Sequence, residues 1–202
     1  MLYTPTELAE IVSTRIAHDM GGTIGALGSA LELIAENNNV MDADTQKIIT
    51  SAANTLKARQ RFLRIAFGLN TNATGSDELK KVCEDYLATF GNPANPITLN
   101  INAISPEIAK PVFLCIMAAA DVCMRGGIIT IEMNKNNLTL HLASDYKLVA
   151  GKLEVYKEII NGNKPKEYIS QYVQLIYLRE LLGDGVPMKL TTSENEMTLI
   201  IG

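Results

Sequence analysis

Apolar residues recur at Leu8, Ile11, Val12, Ile16, Met20, Ile24, Leu27, Leu31 and Ile34, in steps of three to four. A stripe of that period is one face of an amphipathic helix, from Thr6 to about Asn37. Pro5 and Thr6 open it, with Thr6 as the expected N-cap, and Asn37-Asn38-Asn39 close it. A second stripe runs through Ile48, Ile49, Ala52, Leu56, Phe62, Leu63 and Ala66 and ends at Gly68. Asp42 or Asp44 can cap its first N–H groups. At ~1.5 Å per residue both helices reach roughly 40–45 Å. Only a few residues connect them, so they must fold back antiparallel.

Two helices alone cannot cover their own apolar stripes. Either the rest of the chain packs along them or a second copy does. The remainder holds enough elements for a core of its own, which favours a homodimer with a four-helix bundle at its centre. Docking of the hairpin within the chain is the alternative. Asn70 to Ser76 is polar and reads as the boundary between a hairpin domain, 1–70, and a second domain, 76–202. There, Asp77–Phe90 reads as a helix, Ile97–Asn102 as a strand, and Ser105-Pro106 opens a helix to Met124. Gly126-Gly127 leads into Ile128–Asn134, and Asn136-Asn137 turns into Leu138–Ser144, a β-hairpin. Helices at Lys152–Asn161 and Tyr168–Leu182 precede a last hairpin, Val186–Thr192 with Met197–Ile201. The predicted class is α plus α/β: a helical hairpin followed by a two-layer α/β sandwich on a mainly antiparallel sheet.

Composition narrows the function classes. With 18 basic and 22 acidic residues the net charge is −4, which argues against a nucleic-acid partner. Cys83, Cys115 and Cys123 lack metal-ligand spacing and read as reduced thiols of a cytoplasmic protein. Met1 to Glu10 has no signal-peptide pattern, and no uninterrupted apolar run approaches ~18 residues, so no membrane association is expected.

The first helix carries Arg15-Ile-Ala-His18-Asp19-Met-Gly21-Gly22-Thr23-Ile-Gly25, with one of only two histidines in the chain. Glycine inside a helix costs ~1 kcal/mol relative to alanine, so Gly21, Gly22 and Gly25 need a reason. Close helix packing and access for a visiting protein are both reasons, and the spacing does not separate them. Asp19 can reach the Nδ1–H of His18, fixing the tautomer and leaving Nε2 as the nucleophile. Arg15, one turn earlier, carries a guanidinium suited to phosphoryl oxygens. Nucleophile, orienter and anion clamp together make a phosphoryl-accepting arrangement. The plain alternative is a solvated histidine beside an Arg–Asp pair.

With the turn near residue 40, antiparallel neighbours sum to about 80, which sets Phe62 opposite His18. Arg59, Arg61 and Arg64 then lie at its level, as a basic collar for an acidic partner or as partners of Glu7 and Glu10. Arg61, Arg64, Gly22 and Gly25 are the expected partner-binding residues. His141, between Leu140 and Leu142 on an alternating strand, reads as a sheet-face residue.

On these residues the chain resembles the ChpT-type histidine phosphotransferases of alphaproteobacterial cell-cycle phosphorelays. The carrying segments are Arg15-Ile-Ala-His18-Asp19 with Gly25-Ala26 and Leu31-Glu32-Leu33, Arg61-Phe62-Leu63-Arg64-Ile65-Ala66-Phe67-Gly68, and Ala119-Ala120-Asp121 leading to Arg125-Gly126-Gly127. The resemblance implies a dimeric hairpin bundle bearing the histidine, plus a degenerate copy of the histidine-kinase ATPase domain. A working domain of that kind has an asparagine-bearing helix for Mg²⁺ and an Asp-x-Gly-x-Gly loop. Here the helix reads Phe113 to Asp121 without asparagine, and neither Asp145-Tyr-Lys nor Gly183-Asp-Gly185 fits the loop. No phosphorylation from ATP is therefore expected, and no cofactor of its own. Where the family usually has proline and a polar residue, this chain has Thr23 and Gly22. A straighter helix and weaker phosphatase activity are the expectations from these two departures.

The resemblance thus implies that His18 relays phosphoryl groups between receiver-domain aspartates, with Asp19 and Arg15 assisting and Mg²⁺ on the receiver. The implied donor is the receiver domain of a hybrid histidine kinase and the acceptors are response regulators. An ATP-dependent sensor kinase core, and a non-catalytic dimerisation or sequestration module, are the rival readings.

Overall fold

A computed structural model of the protein describes residues 2–69, 75–90, 93–134, 137–167, 169–183 and 185–202. Helix α1 spans Pro5–Glu36, 32 residues and about 48 Å, and α2 spans Ala43–Phe67. Thr4, not Thr6, is the N-cap of α1. Its hydroxyl accepts from the Glu7 N–H while the Glu7 carboxylate accepts from the Thr4 N–H, a reciprocal capping box with Pro5 at the first helical position. Periodicity cannot separate two threonines two residues apart, but the glutamate three residues after Thr4 could have. The helix runs unbroken through Gly21, Gly22 and Thr23, and Asn38 and Asn39 turn the chain with positive φ. Asp42 is the cap chosen for α2, accepting from the Thr45 N–H at 2.7 Å.

The rest forms α3 (Ser76–Leu87), β1 (Ile97–Asn100), a 3₁₀ turn at Pro106–Ile108, α4 (Ala109–Val122), β2 (Gly127–Met133), β3 (Leu138–Ala143), α5 (Ala150–Ile160), a 3₁₀ turn at Ile169–Tyr172, α6 (Val173–Leu182), β4 (Met188–Thr192) and β5 (Glu196–Ile201). The sheet order is β1-β2-β3-β5-β4; β1 and β2 are parallel and all other pairs antiparallel. Ile129, Ile131, Leu140, Leu142, Met197 and Leu199 alternate onto one face and meet the helices; Ile128 and His141 lie on the other. His141 Nδ1 lies 3.0 Å from Thr198 Oγ1 across the strand pair, as its alternating pattern suggested. Gly126 has a φ of +99° and a Cβ there would meet the Asn95 carbonyl, so this turn into β2 requires glycine. The Asn136-Asn137 turn, most of the Asn70–Ser76 segment, Tyr168 and Asp184 fall on or next to residues outside those described.

The hairpin does not stand apart. Phe62 stacks on Tyr86 of α3 with centroids 3.6 Å apart and on Phe113 of α4 at 4.7 Å. Leu63, Ile65 and Ala66 join the same core as α4, α6 and the sheet, and Leu8, Ile11, Ile16 and Met20 pack on it. The expectation that the second part would bury its core separately therefore needs correction. The base of the hairpin is docked within the chain because its apolar face completes the α3–α4 layer. The distal half is not: Ile24, Leu31, Leu33, Met41 and Ile48 are exposed, Leu31 at 60%.

Candidate functional site

His18 lies where the docked base of α1 gives way to its uncovered half. Its side chain is 80% accessible, and Nδ1 is 3.2 Å from Asp19 Oδ1. Asp19 is 15% accessible, and its Oδ2 accepts from Arg15 Nε at 2.6 Å. The ring nitrogen facing a carboxylate carries the proton, which leaves the Nε2 lone pair for chemistry. The backbone is fixed here too: Arg59 Nη1 donates to the Asp19 carbonyl at 2.7 Å, while its guanidinium lies over the Phe90 ring. Residues 19 and 59 sum to 78, close to the register expected from the turn.

Arg15 is not a phosphoryl clamp. Its side chain is 8% accessible, Nη2 donates to Asp121 Oδ1 of α4 at 3.0 Å, and Nη1 donates to the Gln171 carbonyl at 3.0 Å. Burial alone would lower its pKa, but Asp121 and then Asp19 outweigh that penalty and hold it above its ordinary value. Helix periodicity places Arg15 and His18 on neighbouring positions, yet says nothing of the α4 carboxylate that turns the guanidinium inward. Asp121 is the residue sequence reasoning missed as a site residue. Its signals were a place in the Ala119-Ala120-Asp121 segment that carries the resemblance and an acid among alanines on an apolar helix, neither of which assigned it a role.

The predicted docking residues separate into groups. A Cβ at Gly21, Gly22, Gly25 or Gly28 would meet nothing within 4 Å, so this side of α1 faces open space. Gly22 lines a shallow depression of about 510 Å³ with Thr23, Ala26, Ile48 and Ser51, between α1 and α2. Arg61 turns to α3 and pairs with Glu78 at 2.9 Å, instead of Glu7 or Glu10. It also lines a larger groove between α2 and α3, with Lys47, Lys57, Lys81 and Asp85. Arg64 is exposed. Arg59 is the arginine of this helix that reaches the histidine's turn.

No protein-family model matches the chain. It is 25% identical over 193 residues, 92% of its length and 89% of the relative's, to the protein phosphotransferase ChpT of Brucella abortus (strain 2308). The chain is thus similar to a ChpT-type phosphotransferase over nearly its whole length. A solved structure described as a bacterial phosphotransferase superposes with a TM-score of 0.76 at 21% identity, covering 99% of this chain and 98% of that one, and so shares the whole fold. A looser likeness, TM-score 0.45 and 16% identity over 91% of this chain and 95% of the other, is to the Acinetobacter baumannii histidine kinase AdeS. That last match is too distant to bear on function. The exposed histidine on α1 stands beside an aspartate tied to a buried arginine. No helix among the described residues is long and apolar enough to cross a membrane.

Proposed function

We propose that this protein is a histidine phosphotransferase that relays phosphoryl groups between receiver-domain aspartates through His18. The observation that carries the reading is an imidazole 80% open to solvent whose Nδ1 is held by a carboxylate that is itself anchored from inside the protein. Nε2 attacks the phosphorus of a receiver's phospho-aspartate. The N–P bond forms as the acyl-phosphate P–O bond breaks, and the receiver's carboxylate leaves. Asp19 offsets the positive charge the ring acquires. A second receiver's aspartate then attacks the same phosphorus, and the ring departs as neutral imidazole.

Mg²⁺ is supplied by the receiver in this reading, and the chain contributes position and charge. The donor is the receiver of a hybrid histidine kinase and the acceptors are response regulators of a cell-cycle relay in the cytoplasm. The uncovered distal stripe, with Ile24, Leu31 and Ile48 exposed, supports a homodimer whose four helices form a bundle. The open glycine side of α1 leaves room for a receiver's approach to the ring.

The test is incubation with a receiver domain charged by acetyl phosphate. Acid-labile, base-stable phosphate should appear on this protein, be absent from His18→Ala, and pass to a second receiver. Label acquired from ATP alone would favour the kinase reading. Partner regulation unchanged in His18→Ala would favour a docking module.

A further inference from the structure

We propose that Asp121, buried on α4, is a positioning residue for the phosphoacceptor: it holds Arg15 so that one oxygen of Asp19 stays with the His18 ring. The inference rests on the phosphotransfer reading of His18 for its consequence, though not for its geometry.

A guanidinium beside a carboxylate ordinarily takes both oxygens, with Nε and Nη2 as the fork. Here Arg15 gives Asp19 only Nε, at 2.6 Å to Oδ2. Nη2, the nitrogen on the same side as Nε, is drawn instead to Asp121 Oδ1 at 3.0 Å, and Nη1 to the Gln171 carbonyl at 3.0 Å. Asp19 Oδ1 is thereby left to face His18 Nδ1 at 3.2 Å. Asp121 is secured in turn. Gln174 Nε2 donates to its Oδ2 at 3.0 Å and to the Tyr156 hydroxyl at 2.9 Å, and that hydroxyl donates to the Ala118 carbonyl at 3.1 Å. Gln174 and Tyr156 are fully buried and Asp121 is 7% exposed, so the series is rigid and shielded from solvent. It ties the reactive turn of α1 to α4, α5 and α6. In this chain the α/β layer sets the tautomer of His18 through Arg15 and Asp19.

Asp121→Asn separates positioning from folding. The asparagine keeps the shape, and an amide flip of Gln174 would bring its Oε1, which has no partner here, to the new Nδ2–H. With the charge gone, Arg15 turns its fork fully onto Asp19. Arg15→Lys removes the fork but keeps the charge, and serves if the first variant is poorly folded. The full chain, labelled with ¹⁵N, is read at pH 8 by imidazole nitrogen shifts, His18→Ala assigning the signals. Phosphoryl uptake is measured separately from phosphoramidate, which exchanges its P–N bond for the one at Nε2.

Wild-type His18 should show a protonated Nδ1; either variant should move it toward the Nε2–H form. Uptake should fall about tenfold to a hundredfold, and Asp121→Asn should cost nothing further in an Asp19→Asn background. An unchanged tautomer in a folded variant overturns the proposal. So does an equal proportional loss in both backgrounds, or failure of both variants to fold, which would make Asp121 purely structural. A tautomer that responds in a protein taking phosphate from neither phosphoramidate nor a receiver would leave the positioning intact and remove the phosphotransfer reading.

Discussion

Arg15 stands between two carboxylates, 2.6 Å from Asp19 on its own helix and 3.0 Å from Asp121 across the core, and so joins the exposed histidine's neighbour to the interior. Both contacts are largely closed to solvent, which gives them weight that the exposed pair Lys47–Asp44 lacks.

Arg15→Ala should destabilise the fold by about 3–5 kcal/mol, because it strands Asp121 without its cation. Urea unfolding measures this. Arg15→Met with Asp121→Leu should recover most of the loss, since the cost lies in the uncompensated charge.

Phe62→Ala should cost about 3–5 kcal/mol, since the ring is fully buried between Tyr86 and Phe113. The loss should appear in one cooperative transition followed equally by helix and tertiary probes. A separate early transition of the hairpin would contradict the shared core.

Leu31→Asp should leave the unfolding free energy within about 0.5 kcal/mol of wild type for the isolated chain, because the side chain is 60% exposed. If the exposed stripe is the dimer seam of the proposed bundle, sedimentation should show a dimer for the wild type and a monomer for the variant. A monomeric wild type would remove the bundle.

Burial pushes the Cys115 thiol up to about 12, and burial raises Cys83 and Cys123 above their ordinary values as well. Reactive thiolate is therefore scarce at pH 8. An aromatic disulfide reagent should titrate none of the three in the native protein and all three in guanidinium. The fast reaction of any one would show that its segment opens locally.

Much of this protein is written in local pattern. The stripe from Leu8 to Ile34 specified α1 because helical period depends only on neighbouring residues, and the few residues before Ala43 forced the antiparallel return. Alternation fixed the strands and the face on which His141 lies. The pairing of Asp19 with His18 was partly legible: neighbours on a helix point about 100° apart, yet a short carboxylate can reach the next ring when its rotamer is held, as Arg15 holds Asp19. Three things were decided only by the tertiary structure. Phe62 was placed opposite His18 but points into the α3–α4 layer, because the core of the second part is incomplete without it. Of three arginines at one level, Arg59 alone reaches the reactive turn, and the packing of α2 on α3 chose it. Arg15, expected to face a phosphoryl group, faces Asp121, a residue 106 positions away. A buried charge takes the partner that the fold brings to it, and sequence spacing carries no record of that distance.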